Sequence, residues 1–208
     1  MTDRAVRLTR FSYVAAPALL VVYGSIRLLV EGSREPGAAW ITGHFAFLGG
    51  VLFFGVLCGG LRRSTLVAAG SVRRRVAWAA WAVALAGVGA AAAQALIDLY
   101  VGFRAADKPE MSELFTRVQD VPGVLPVVYT VVPLFLYLGM IALLAALGGP
   151  GVVRPLVLFV LGTVAIAANL DFLPLGGLCY LLAFAPLRHR VPAPRTPDAV
   201  LPAPARVG

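Results

Sequence analysis

Apolar residues run along this chain in blocks of about twenty or more, with the charged residues gathered between them. A bilayer core is crossed by about 20 apolar residues rising about 1.5 Å each. Phe11–Val30, Ala39–Leu61, Val76–Phe103 and Val121–Leu147 each predict one span on that scale. The last block, Val152–Leu187, is too long for one helix and is interrupted by "NLDFLP", which holds Asn169, Asp171 and Pro174. Asn and Asp favour turns, and proline disfavours helix at its predecessor. The block therefore predicts a hairpin of two short spans, Val152–Ala168 and Leu173–Leu187. The expected fold is an all-α, six-helix transmembrane bundle, one domain over residues 1–190.

Between the third and fourth spans the pattern changes. In "DKPEMSELFTRVQD", Met111, Leu114, Phe115 and Val118 recur at i, i+3, i+4 and i+7, one apolar face of a helix. Asp107 stands at the N-cap, Pro109 in the first turn and Glu110 at the capping-box position. Glu113 and Arg117 form an i,i+4 pair on the polar side. A short amphipathic helix lying on the membrane surface is expected.

Composition agrees with the spans. The chain is 60% hydrophobic and 13% charged, with a mean hydropathy of +0.86, against about 45–50% and about 25% in soluble domains. In such a chain the net charge of +8 is not a nucleic-acid footprint, and the expected surroundings are membrane lipids. The charges sort by side. One set of segments holds 13 basic and 2 acidic residues, the other 5 basic and 8 acidic. The positive-inside rule then predicts both termini in the cytoplasm of a multi-pass cell-membrane protein. The arginine, alanine, glycine and proline load suggests a GC-rich, bacterial source. The first span lacks an A-x-A cleavage pattern and reads as a retained anchor. Residues 191–208 carry five prolines without apolar period and are expected to be a disordered cytoplasmic tail.

With sidedness fixed, the polar residues inside spans fall in one slab, the outer half of the bundle. Asp98 lies about 8 Å from the outer end of its span at about 1.5 Å per residue, and Gln94 shares its helix face. His44, Tyr129, Arg27 and the hairpin residues Asn169 and Asp171 lie at similar depth. Each has a packing reading. Arg27 can snorkel, Tyr129 can join an aromatic belt with Trp40 and Tyr100, and Asn169 and Asp171 can simply form the turn. Asp98 is the costly one, on the order of 2.5–3.5 kcal/mol for an acid facing lipid. It is expected to face the bundle interior, partnered among Arg27, His44 and Gln94, or ion-paired with Arg27 or Arg104. Glycines, among them Gly87 and the Gly55–Gly59 pair, are expected at close helix approaches.

No G-x-S-x-G, H-E-x-x-H or Walker pattern is present, Cys58 and Cys179 stand outside any metal spacing, and His44 has no second intramembrane histidine. No metal and no cofactor is expected. Three function classes remain: a membrane-embedded enzyme, a proton-coupled transporter, and a non-catalytic scaffold or partner subunit. For the enzyme, Asp98, His44 and Asp171 are the candidate catalytic residues. Burial favours the neutral form of a carboxyl group, so an intramembrane acid can donate a proton at neutral pH. Gln94, Tyr129, Asn169, Arg27, Phe45, Phe135 and Tyr137 are the candidate substrate-binding residues, the aromatic ones offering π-faces to a developing cation. In size, helical character and the placement of Asp98 and Asp171 at span ends, the chain resembles small integral membrane terpene cyclases. That resemblance implies isoprenoid cyclisation begun by protonation from those acids, and a seven-helix bundle, from which the six spans here depart.

Overall fold

Thr2 caps the first helix, its hydroxyl accepting from the Ala5 N–H at 3.4 Å. The computed structural model describes residues 2–192, and helix is the regular structure throughout them. The helices are α1 (Asp3–Leu29), α2 (Ala38–Ala68), α3 (Ser71–Arg104), α4 (Lys108–Gln119), α5 (Leu134–Leu147), α6 (Val153–Ala168) and α7 (Leu173–Phe184). Among the described residues six segments are long and apolar enough to cross a membrane, the fourth running Leu125–Leu147 and the last Leu170–Arg190. This is the all-α polytopic bundle the pattern predicts.

Two boundaries differ from the sequence expectation. The arginine-rich loop expected between the second and third spans shrinks to Ala69 and Gly70, because α2 and α3 continue through Arg62–Arg63 and Arg73–Arg75. Hydropathy marks where lipid contact ends, and arginine is a good helix former that lets the helix run on. The fourth span is not one helix. It opens with a π-helical segment, Leu125–Thr130, and breaks at Val131–Pro133 before α5 begins. The N–H groups of Val131 and Val132 both turn back to the Pro126 carbonyl, at 2.8 and 3.2 Å. Pro126 and Pro133 cannot donate to a regular α-helical ladder, which is why the segment adopts wider turns.

The helices pack in the order α5, α3, α2, α1, α7, α6, and α5 and α6 close the ring only sparsely. The α3–α5 contact depends on glycine. A side chain at Gly87 would run into the Leu136 backbone, and one at Gly139 into the backbone of Ala80 and Ala84. The Gly55–Gly59 pair is less confined, with Gly55 meeting only the Val88 and Leu85 side chains. The capped surface helix forms as expected: Asp107 accepts from the Glu110 N–H at 2.9 Å and Glu110 accepts from the Ala106 N–H at 2.8 Å. Met111 is buried against Val101 and Ala105, fixing α4 across the end of α3.

The bundle thus has two unlike ends. One carries α4, the α1–α2 loop and the α6–α7 turn. The other, the terminal face, gathers the start of α1, the α2–α3 and α5–α6 connections and the chain after α7. There Arg73 donates to the Ala146 carbonyl at 2.9 Å and to that of Leu147, satisfying the end of α5. Arg62 lies between the Trp78 and Trp81 rings, 4.0 Å from each. The expected tail begins later than residue 191, since Val191 is buried and its carbonyl accepts from Arg10 at 3.3 Å. Residues 193–208 of that tail lie outside the described residues.

Candidate functional site

Trp40 and His44 stand one turn apart on α2, so their rings meet, stacked at 4.0 Å. His44 Nδ1 lies 2.8 Å from the Trp40 carbonyl oxygen. A carbonyl can only accept, so Nδ1 carries a proton. The other nitrogen, Nε2, faces Asp98 Oδ2 at 3.5 Å. A proton taken up between Nε2 and Oδ2 would belong to the pair, either as imidazolium and carboxylate or as imidazole and carboxylic acid. Both residues are buried, with 4% and 7% of their surface exposed. Water therefore screens this pair little.

Trp40, Tyr23 and Tyr129 flank the pair, and Phe115 backs Trp40. The Trp40 indole N–H donates to the Asp98 main-chain carbonyl at 2.9 Å. The same ring lies against Gly102, where any side chain would collide with it. Tyr23 sets its edge on the His44 ring at 5.3 Å. Phe115 of α4 reaches Trp40 at 6.1 Å. The Tyr129 hydroxyl, from the π-helical segment, lies buried beside the Asp98 carboxyl, and it closes a hydrogen bond with no group among the described residues.

Next to this cluster is a cavity of about 550 Å³. Tyr23, Phe47, Gln94, Tyr129, Tyr137 and Asn169 line it, with aliphatic side chains from α1, α5, α6 and α7. A smaller void of about 80 Å³ continues from Phe47, Gln94 and Tyr137 towards Phe159 and Tyr180. There an aromatic cluster forms the floor, with Phe159 4.7 Å from Tyr180 and 5.5 Å from Phe184. The rim lies at the α5–α6 seam, where Leu134, Ala167, Ala168 and Leu170 are exposed.

The structure brings together part of the set expected from sequence. His44 and Asp98 pair, and Tyr129 and Gln94 join them to the cavity that Tyr137 and Asn169 also line. The ion pair expected between Asp98 and Arg27 or Arg104 does not form. Arg27 turns instead to Asp171 at 3.8 Å, and Arg104 is exposed. Asp171 sits apart from the His44–Asp98 pair, gripped by Arg34 at 2.5 Å across the loop ends. Its own N–H donates to Asn169 Oδ1 at 2.8 Å, so Asn169 forms the turn and faces the cavity as well. Phe45 is exposed on the outside of the bundle, edge-on to Phe103 at 6.5 Å. It follows His44 by one residue, about 100° round the helix. Phe135 lies against α3 at Gly87 and is not among the residues that line the cavity.

Sequence reasoning missed Tyr23, Phe47 and the role of Trp40. The signal was the i,i+4 spacing of Tyr23 with Arg27 and of Trp40 with His44, which puts each aromatic on the face of a polar residue. Compared with protein-family models, with curated proteins and with solved structures, the chain matches none.

Proposed function

We propose that the protein is a membrane-embedded enzyme that carries out proton transfer on an apolar lipid or isoprenoid substrate held in the α5–α6 cavity. The observation that carries this reading is the buried facing of His44 Nε2 and Asp98 Oδ2, two groups placed to hold a proton between them, beside a tyrosine that lines the cavity. The pair gives its proton through Tyr129 to a carbon–carbon double bond, and a carbocation forms. Tyr23, Phe47 and Tyr137 present π-faces to that charge. A proton then leaves a neighbouring carbon and returns to the pair by the same hydroxyl. The product is an isomer or a cyclised form of the substrate, and no oxidant or second substrate is consumed.

Two further features support an apolar substrate. The rim opens sideways at the α5–α6 seam, a route from the bilayer, and the walls are mainly aliphatic and aromatic. The Phe159–Tyr180–Phe184 floor and the buried Tyr13, Leu57, Leu61 and Leu144 below it favour this reading over a conduit, because they fill the terminal half of the bundle. With both termini in the cytoplasm, the cavity belongs to the outer leaflet.

The test is deuterium incorporation. The full chain in lipid nanodiscs is incubated in D2O with polyprenyl alcohols and polyprenyl hydrocarbons, and the extracted lipids are weighed by mass spectrometry. Carbon-bound deuterium in an isomer of one substrate, absent with Asp98→Asn, is the expected result. Products with no deuterium above the protein-free control would overturn the proposal.

A further inference from the structure

The arginines of the terminal face, from Arg4 to Arg190, form no ion pair among the described residues. The recorded ion pairs all lie towards the α4 end. Asp3 is the one acid the described residues place with those arginines. Most of these side chains project from helix ends, as arginines at a headgroup level do. Arg154 and Arg190 differ, because the fold puts them on one concavity.

That concavity, about 290 Å³, is lined by Gly151, Arg154, Pro155, Leu182, Leu187 and Arg190, together with Pro186. It is built from the α5–α6 connection, the start of α6 and the 3₁₀ turn Ala185–Arg190 that follows α7. The Arg190 guanidinium lies directly over Gly151, where a side chain would collide with it. The first N–H groups of α6 are already engaged, Val152 donating to the Gly149 carbonyl at 3.1 Å and Val153 to that of Pro150, so the charge of this region comes from the two arginines. Leu182 is exposed, and it continues an apolar strip through Leu178 and Leu175 along the outside of α7.

We infer that this concavity binds a phosphate ester, the headgroup of an anionic lipid, between Arg154 and Arg190. Two guanidinium forks match phosphate oxygens in geometry and charge. The Leu182 strip takes the hydrocarbon that a lipid phosphate brings with it. A zwitterionic headgroup offers the same phosphate, but its ammonium meets a site with no carboxylate. The site is remote from the α5–α6 cavity and does not depend on the chemistry proposed there.

Native mass spectrometry of the full chain in detergent tests this, with titrations of dioleoyl-phosphatidylglycerol, dioleoyl-phosphatidylcholine and inorganic phosphate. The glycerol lipid binds preferentially, and Arg154→Ala with Arg190→Ala weakens it roughly thirtyfold, from about 1 kcal/mol for each arginine at tenfold per 1.4 kcal/mol. Gly151→Val keeps every charge but displaces the Arg190 guanidinium, and it produces a comparable loss. Arg4→Ala with Arg63→Ala, two arginines outside the concavity, leaves binding unchanged. Displacement of the lipid by millimolar inorganic phosphate identifies the phosphate alone as sufficient. Retention of the lipid under phosphate identifies the lipid as the ligand. Equal binding of the two lipids, or an equal loss in the Arg4/Arg63 control, overturns the assignment.

Discussion

Trp40 donates its indole N–H to the main-chain carbonyl of Asp98 at 2.9 Å while its ring stacks on His44 at 4.0 Å. One side chain therefore sets the separation of an imidazole on α2 from a carboxyl on α3. Phe115 rests on that side chain, so the position of α4 reaches the pair through Trp40. The surface helix has a mechanical path to the site, although it touches neither His44 nor Asp98.

Replacing Trp40 by Phe retains a stacking ring and removes the N–H. The expected cost is about 1 kcal/mol, that of one hydrogen bond, read as a lowered midpoint in detergent thermal unfolding. The proposed proton transfer should fall further than stability, because the Nε2–Oδ2 distance is no longer held. A variant with native turnover would show that Trp40 only packs.

Asp98→Asn separates a proton-holding role from a structural ion pair. Breaking a buried pair with an arginine strands a charge and costs about 3–5 kcal/mol. Here the partner is His44, which can be neutral, and the Asn amide can donate to Nε2. The fold should lose about 1 kcal/mol or less, while the shared proton disappears. A loss of several kcal/mol in chemical unfolding would return Asp98 to a structural role.

Much of this was legible in the sequence, and the reasons differ from residue to residue. The span count follows from hydropathy because lipid contact is a property of composition. Asp107, Glu110 and Met111 announced α4 because capping and amphipathic spacing are local. That His44 and Asp98 sit at one depth could be read from their distance to span ends. Their pairing depended on which faces α2 and α3 turn to one another, and that is set by Gly102 receiving the Trp40 ring. Asp171 shared their depth as well, but Arg34 holds it against the α1–α2 loop, apart from the pair. Depth constrains one coordinate and leaves rotation about each helix open.

The glycines of α3 give a clean contrast. Gly87→Ala places a methyl group against the Leu136 backbone, which has no rotamer to yield. Overpacking of this kind costs about 1–3 kcal/mol or more. Gly89→Ala meets nothing within 4 Å and gains helix propensity worth up to about 1 kcal/mol. Thermal midpoints should move in opposite directions. Equal shifts would contradict the α3–α5 packing.

Sidedness is open to labelling. Glu113, with a 69% exposed side chain, lies on α4, and Val72, 63% exposed, starts α3 at the opposite end. In a Cys179→Ala background, with Cys58 buried, an impermeant maleimide added to intact cells should modify Glu113→Cys and spare Val72→Cys. The converse pattern would invert the charge-based orientation and move the cavity to the inner leaflet.

The lateral mouth is tested by two substitutions one turn apart on α6. Ala167 lines the cavity at its exposed rim. Val164 is 60% exposed and does not line it. Both positions are exposed, so a tryptophan at either meets no packed core and neither should unfold the protein. Only Ala167→Trp narrows the α5–α6 opening. An alkyl diazirine dissolved in the membrane and photolysed should mark peptides containing Tyr129 and Tyr137 in the unaltered protein. That labelling should drop severalfold in Ala167→Trp and stay unchanged in Val164→Trp. Because the readout needs no turnover, it tests the route from the bilayer separately from the proton chemistry. If both variants label like the parent, apolar molecules reach the cavity by another path or do not enter it, and the α5–α6 seam is no portal.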